Sequence, residues 1–225
     1  MTEDWARQEI CRIGKSLFDR GYVHSSAGNI SVKLDDGFLI TPTDAVMGFL
    51  EPAKISKVDL SGAHVSGDAP SKTLGLHRSV YAATGINQPL TSCIIHTHST
   101  YCVALTLNDD GCTEELLEPM TPYQVMKVGR VPLIPYKRPG DPRVIELVEK
   151  SIDRYSKLGG AVRCVMLSAL GPVVWHDSPS KAMATLEELE ESAKLTFLLG
   201  KSRSLLTSSE IQELKEVFNC PWALK

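Results

Sequence analysis

The apolar run Cys93-Ile94-Ile95 leads into His96-Thr97-His98. Side chains two apart on a strand share a face, so both imidazoles are expected side by side, placed to chelate one divalent ion. A zinc centre takes three or four ligands, so the pair alone is equally the polar face of a strand. Cys93 and Cys102 lie nearby as soft donors, but their apolar neighbours mark them as buried structural thiols. His24 and His64, among polar neighbours, are expected to face solvent in loops. His77, on a helical pattern, is expected to be a packed residue with a hydrogen-bond partner rather than a ligand.

The elements that must position the pair follow from periodicity. Residues 2–20 carry Ile10, Ile13 and Leu17 at helical spacing and end at Gly21. Residues 29–33 and 38–41 flank Asp35-Asp36-Gly37, a hairpin signal. A second helix is predicted from Ser71 through Leu74, His77, Val80 and Tyr81 to Gly85, and its free N-terminal amides suit an anion. An acidic loop follows the histidines. Residues 131–135 suit an edge strand because of their prolines, and Asp141-Pro142 opens a helix to Leu158, closed by Gly159-Gly160. Residues 163–168 and 173–176 read as neighbouring strands at the end of the sheet. Residues 187–199 form a helix whose acidic run is a solvated face, with Glu190 and Lys194 as an i, i+4 pair. Thr207-Ser208-Ser209-Glu210 is a capping box before a last helix. The elements give an α/β layered fold, a central mixed or antiparallel sheet covered by helices, in a single domain over 1–225.

Composition narrows the function. Of 225 residues, 43% are hydrophobic and 23% charged, an ordinary globular balance. A formal net charge of −3 without a basic cluster argues against nucleic acid or an anionic membrane surface as partner. The acidic start Met1-Thr2-Glu3-Asp4-Trp5 lacks the form of a signal peptide, and no apolar stretch approaches the length of a membrane span. The six cysteines show no C-x-x-C spacing, which points to reduced thiols in the cytoplasm.

Ser26-Ala27-Gly28-Asn29-Ile30-Ser31, Thr41-Pro42-Thr43, Pro70-Ser71, His96-Thr97-His98, the stretch from Val131 to Tyr136, and Gly171-Pro172, in this order and spacing, resemble the class II aldolase/adducin family over roughly residues 5–200. Thr121-Pro122-Tyr123, the stretch from Tyr136 to Asp141 and that from Leu186 to Glu191 are most similar to its 3-oxo-tetronate 4-phosphate decarboxylase branch. The resemblance implies a class II aldolase-like three-layer domain and a lyase that decarboxylates or cleaves a small oxo-sugar acid or its phosphate. It implies a divalent metal, zinc in the first instance, on His96 and His98, stabilising the charge of an enediolate. It maps anion binding onto Asn29, Thr43 and Ser71, with Lys72 beside them, and a proton-transferring tyrosine onto Tyr123. A homotetramer with its site at a subunit interface is also implied, for which the tail from Cys220 to Lys225 offers Trp222 as an anchor on a neighbour.

Three positions depart from the pattern. Thr73 stands where the family carries a catalytic glutamate, and a threonine hydroxyl titrates too high to serve as base near neutrality. Leu170 stands where the third histidine is expected before Gly171-Pro172, and leucine cannot coordinate a metal. Asp44 replaces a glycine beside the anion cradle, where two like charges about 4 Å apart cost roughly 4 kcal/mol at an effective dielectric of 20 unless Lys72 offsets them. His176 is the one replacement ligand on offer, but it stands too far along its strand unless that strand bends. Two functions remain open: a metal-dependent lyase, and a repurposed relative that binds or assembles without turnover.

Overall fold

Thr2 accepts a hydrogen bond from the Trp5 amide and caps helix α1 (Glu3–Asp19), in a computed structural model that describes every residue except 86–90, 108–113, 161, 201, 203, 221 and 223–225. Cys112 and most of the final tail lie outside the described residues. Strands β1 (Asn29–Leu34) and β2 (Gly37–Ile40) form the expected hairpin. β3 (Ser56–Asp59) and β4 (His64–Ser66) extend it to one edge of the sheet; their short, polar sequences gave no strand signal. Helix α2 (Leu74–Thr84) precedes β5 (Cys93–His96), and α3 (Thr100–Leu107) follows it where a loop was expected. Then come β6 (Leu133–Ile134), α4 (Arg143–Lys157), β7 (Cys164–Leu167), β8 (Gly171–His176), α5 (Pro179–Leu199) and α6 (Ser208–Phe218).

The eight strands make one mixed sheet in the order β4-β3-β2-β1-β5-β8-β7-β6, antiparallel except for the β6–β7 pair. β6 is the edge strand its prolines required. It displaces β7 and β8 from the end of the sheet, so β8 lies inside it, against β5. Ile95 and Cys93 pack in one layer with Ile10 and Ile13 of α1, Cys102 of α3 and Leu186 of α5. Ile94 packs in the other with Val80 of α2, Val148 of α4, and Val173 and Trp175 of β8. Strands covered on both faces are apolar throughout, which is why these segments read as runs rather than alternations.

Three local expectations are corrected. Helix α5 starts at Pro179 with Ser178 as N-cap, well before residue 187; Ser-Pro is a helix-start signal. Glu190 is buried, and its carboxylate accepts hydrogen bonds from the amides of Tyr101 (2.8 Å) and Cys102 (3.0 Å). First-turn amides have no partner within their helix, and a carboxylate there meets the positive end of the dipole. Lys194 instead lies 3.9 Å from Glu191 and 6.0 Å from the Tyr101 ring centroid. Trp222 is buried within its own chain, beneath the Arg130 guanidinium at 4.6 Å and beside Val125 and Ile211. Among the described residues no helix is long and apolar enough to cross a membrane.

Candidate active site

β5 ends at His96, yet the chain stays extended enough that the rings of His96 and His98 lie side by side, centroids 5.1 Å apart. Two imidazoles bound tetrahedrally through nitrogens about 2.0 Å from one ion have centroids about 5 Å apart, so the pair has the spacing of a chelate. His96 Nδ1 donates to the Pro172 carbonyl oxygen at 2.9 Å, which leaves Nε2 with its lone pair. Burial, reinforced by His98, holds His96 down to about 4. Burial, then His24, lowers His98 as well, so both rings are neutral at pH 7. The chain leaves His98 through a contact of Thr97 Oγ1 with Ser99 Oγ at 2.6 Å, and enters α3, whose first amides Glu190 holds.

Asn29 stands opposite His96 in the β1–β5 register, and both face the α2 layer. Its Oδ1 lies 2.6 Å from Nε2 of the fully buried His77. His77 Nδ1 lies 2.7 Å from Ser31 Oγ, which lies 2.9 Å from the Tyr81 hydroxyl. His77 is thus the satisfied core histidine that its helix position suggested. Thr41 joins the neighbouring pieces: its Oγ1 accepts from the Ile30 amide and its carbonyl from the Ser71 amide, each at 3.2 Å. Pro42 bridges to Pro70, and the Thr43 amide donates to the Ala69 carbonyl at 2.9 Å. Asn29, Thr43 and Ser71 are therefore gathered on segments tied to one another beside His96. Ser31 and Tyr81 were missed, although Asn29/Ser31 at i, i+2 and His77/Tyr81 at i, i+4 each mark one face of an element.

The helix does not begin at Ser71. Thr73 is the N-cap of α2, and its hydroxyl lies 2.9 Å from Ser71 Oγ. Asp44 sits at φ +56°, a left-handed backbone that asparagine and aspartate tolerate better than most residues. Its carboxylate lies 3.8 Å from Lys72 Nζ, both groups being largely exposed, so Lys72 offsets the charge with little gain in stability. Leu170 is half-buried against the layer that holds Ile94 and Val173. Tyr123 is exposed at the start of a π-helical turn (Gln124–Val128) and meets neither histidine in the contacts among the described residues. His24 and His64 are exposed. His176 pairs with Cys93, three residues and about 10 Å along the strand from the His96 position, and contacts Asp177 at 2.9 Å; it is not a ligand. Burial raises the thiols of Cys93, Cys102 and Cys164, as expected of structural cysteines. Among the described residues no three His, Cys, Asp or Glu side chains converge as a metal centre. The donors fit two corners of a metal site and not the three protein ligands of a catalytic zinc.

Burial of His77 has a consequence for stability. The folded protein holds its pKa down to about 3, while the unfolded chain protonates near the ordinary 6.5. Below about pH 6.5 the unfolded state gains a proton that the folded state refuses, so this contribution is complete above that pH and is lost as pH falls towards 3. Urea unfolding is expected to lose about 1.4 kcal/mol per pH unit from this group between pH 6 and 4. His77→Gln should make that slope shallower by one proton; an unchanged slope would place the titration elsewhere.

Residues 8–197 match the class II aldolase and adducin N-terminal domain. A 3-oxo-tetronate 4-phosphate decarboxylase of Cupriavidus necator is 50% identical, over 98% of this chain and 99% of its own. That of Escherichia coli K12 is 41% identical, over 95% and 97%. The crystal structure of YgbL from Klebsiella pneumoniae, a putative aldolase/epimerase/decarboxylase, superposes with a TM-score of 0.85 at 41% identity, covering 95% of this chain and 99% of that one. An L-fuculose 1-phosphate aldolase shares the fold at a TM-score of 0.77, with 23% identity over 95% and 96% of the two chains.

Proposed function

The chain belongs to the class II aldolase and adducin family, and from that premise we propose that it is a carbon–carbon lyase decarboxylating a small 3-oxo sugar acid phosphate of the 3-oxo-tetronate 4-phosphate type. The observation that carries this reading is that Asn29 stands opposite His96, with Thr43 and Ser71, the other two residues read as an anion cradle, on segments tied to its strand, while Thr73 stands where the family reading puts the base. Aldol cleavage begins with removal of a proton from a substrate hydroxyl, for which this chain has no carboxylate at that position. A 3-oxo carboxylate needs no such step. Its C1–C2 bond breaks to release carbon dioxide, the electron pair moves into C2–C3 as the 3-oxo oxygen takes the charge, and a proton then returns to C2.

In this reading Asn29, Thr43, Ser71 and Lys72 hold the phosphate, the imidazole pair faces the reacting end, and Tyr123 reaches the proton-transfer position only through movement or a neighbouring copy. A divalent ion, zinc in the first instance, is the cofactor the family reading assigns to His96 and His98, with an incomplete donor set in this chain. The chain is taken as one domain, working as a homotetramer in the cytoplasm. Exposed Phe197, Leu198 and Leu199 support self-association, and the buried free thiols support a reducing compartment.

Leu170, which leaves the histidine pair a ligand short, favours a second reading, a non-catalytic relative that keeps the cradle and binds sugar phosphates without turnover. Carbon dioxide release from 3-oxo-tetronate 4-phosphate, measured beside aldehyde release from fuculose 1-phosphate, separates the two. The first reading expects decarboxylation, lost in His96→Ala, and no aldehyde release. Phosphate-ester binding without carbon dioxide release would establish the second.

A further inference from the structure

We propose that His77 is a positioning residue: it fixes the side-chain amide of Asn29 so that Nδ2 turns away from His77 and presents its hydrogens to a phosphate-bearing ligand. The inference rests on the reading of Asn29, Thr43 and Ser71 as an anion cradle. It comes from a chain of donations in which each link forces the next. An amide oxygen only accepts, so the 2.6 Å contact with Asn29 Oδ1 requires the proton of His77 on Nε2. Nδ1 of the neutral ring then carries a lone pair, and the 2.7 Å contact requires Ser31 to donate. With its one proton spent, Ser31 Oγ accepts at 2.9 Å from the Tyr81 hydroxyl, whose single proton is shared with the more distant carbonyl oxygens of Ser31 and Ser92 at 3.1 and 3.3 Å.

The direction Tyr81 to Ser31 to His77 to Asn29 matters because Asn29 has two unlike ends. With the opposite tautomer of His77 the amide would rotate, its oxygen would face the ligand, and an anion would meet a lone pair instead of two donors. Every member of the chain is buried, so water does not relax the choice. His77 touches no ligand itself; it decides which end of Asn29 does.

The test combines a spectroscopic and a binding measurement on the full-length protein. In 15N NMR without added phosphate, His77 is expected as the neutral, Nε2-protonated tautomer between pH 8 and 5, and an Nδ1-protonated ring overturns the proposal. In titrations with inorganic phosphate, His77→Leu, which frees Asn29, is expected to weaken binding about tenfold or more, the loss of a hydrogen bond to a charged group. His77→Gln can still donate to Asn29 and accept from Ser31, and should stay within about threefold of the unmodified protein. Unmodified affinity in a folded His77→Leu, with Ser71→Ala weakened, overturns the positioning role alone. Absence of phosphate binding by the unmodified chain overturns the cradle reading and the role with it. Should His77→Leu not fold, the tautomer and the glutamine variant decide.

Discussion

Replacing Leu170 by histidine together with Thr73 by glutamate is expected to raise affinity for zinc by on the order of 100-fold or more, because outer partners of a metal ligand already carry about 10–100-fold and a donor directly on the ion must count for more. The turn that carries residue 170 rides on the histidine strand. His96 Nδ1 donates to Pro172, and a methyl group placed on Gly171 would lie 3.1 Å from the His98 Cα. Leu170 also packs in the layer that His96 faces. An imidazole at 170 is thus brought to the pair by backbone contacts already present. A glutamate at 73 stands at the N-cap of α2, where a negative charge is favoured. Competition against a chelator of known affinity measures the effect, with Leu170→His alone supplying the larger share. Equal zinc affinity in the double variant and the unmodified protein would mean that residue 170 does not face His96 and His98.

Gly171→Ala is expected to cost about 3 kcal/mol or more, and to lower the melting temperature by roughly 6–12 °C. Its φ of +138° lies where side chains are strained, and an added Cβ would meet the Thr97 carbonyl oxygen at 1.9 Å. That oxygen belongs to the backbone between the two histidines, so β8 must retreat from β5 or the pair must move. Gly159→Ala is the control: it shares a positive φ, +73°, but has open space around it. Left-handed strain alone costs about 1–2 kcal/mol. Equal melting temperatures for the two variants would show that the contact with Thr97 relaxes freely. A loss at Gly171 clearly larger than that at Gly159 would identify the close approach of backbones as what holds the histidines in place.

Much of the frame was legible because it depends on local periodicity and caps. The hairpin at Asp35-Asp36-Gly37, the Thr207 capping box and the edge strand before Pro135 each formed where short-range chemistry placed them. Helix α3 was hidden, since the first amides of Thr100–Leu107 are held by the Glu190 carboxylate from 88 residues away. The same long-range pairing turned Glu190 from an expected solvated residue into a buried one. Trp222 suited a neighbour by composition, yet the cleft between Arg130, Val125 and Ile211 exists only once the chain has folded.

The sequence by itself determined the residue types: two histidines at strand spacing, Asn29, Thr43 and Ser71 in motifs that resemble the family's, and Thr73 and Leu170 where that resemblance implies a base and a ligand. Those identities are carried by motifs a few residues long. The tertiary structure alone decided which groups meet. It placed Asn29 against His96 through strand register, closed the Tyr81-Ser31-His77-Asn29 chain between a helix and a sheet, and set His176 at the far end of its strand from His96. Hydrogen-bond direction and metal geometry depend on distances of a few ångströms between residues distant in sequence, and only packing fixes those.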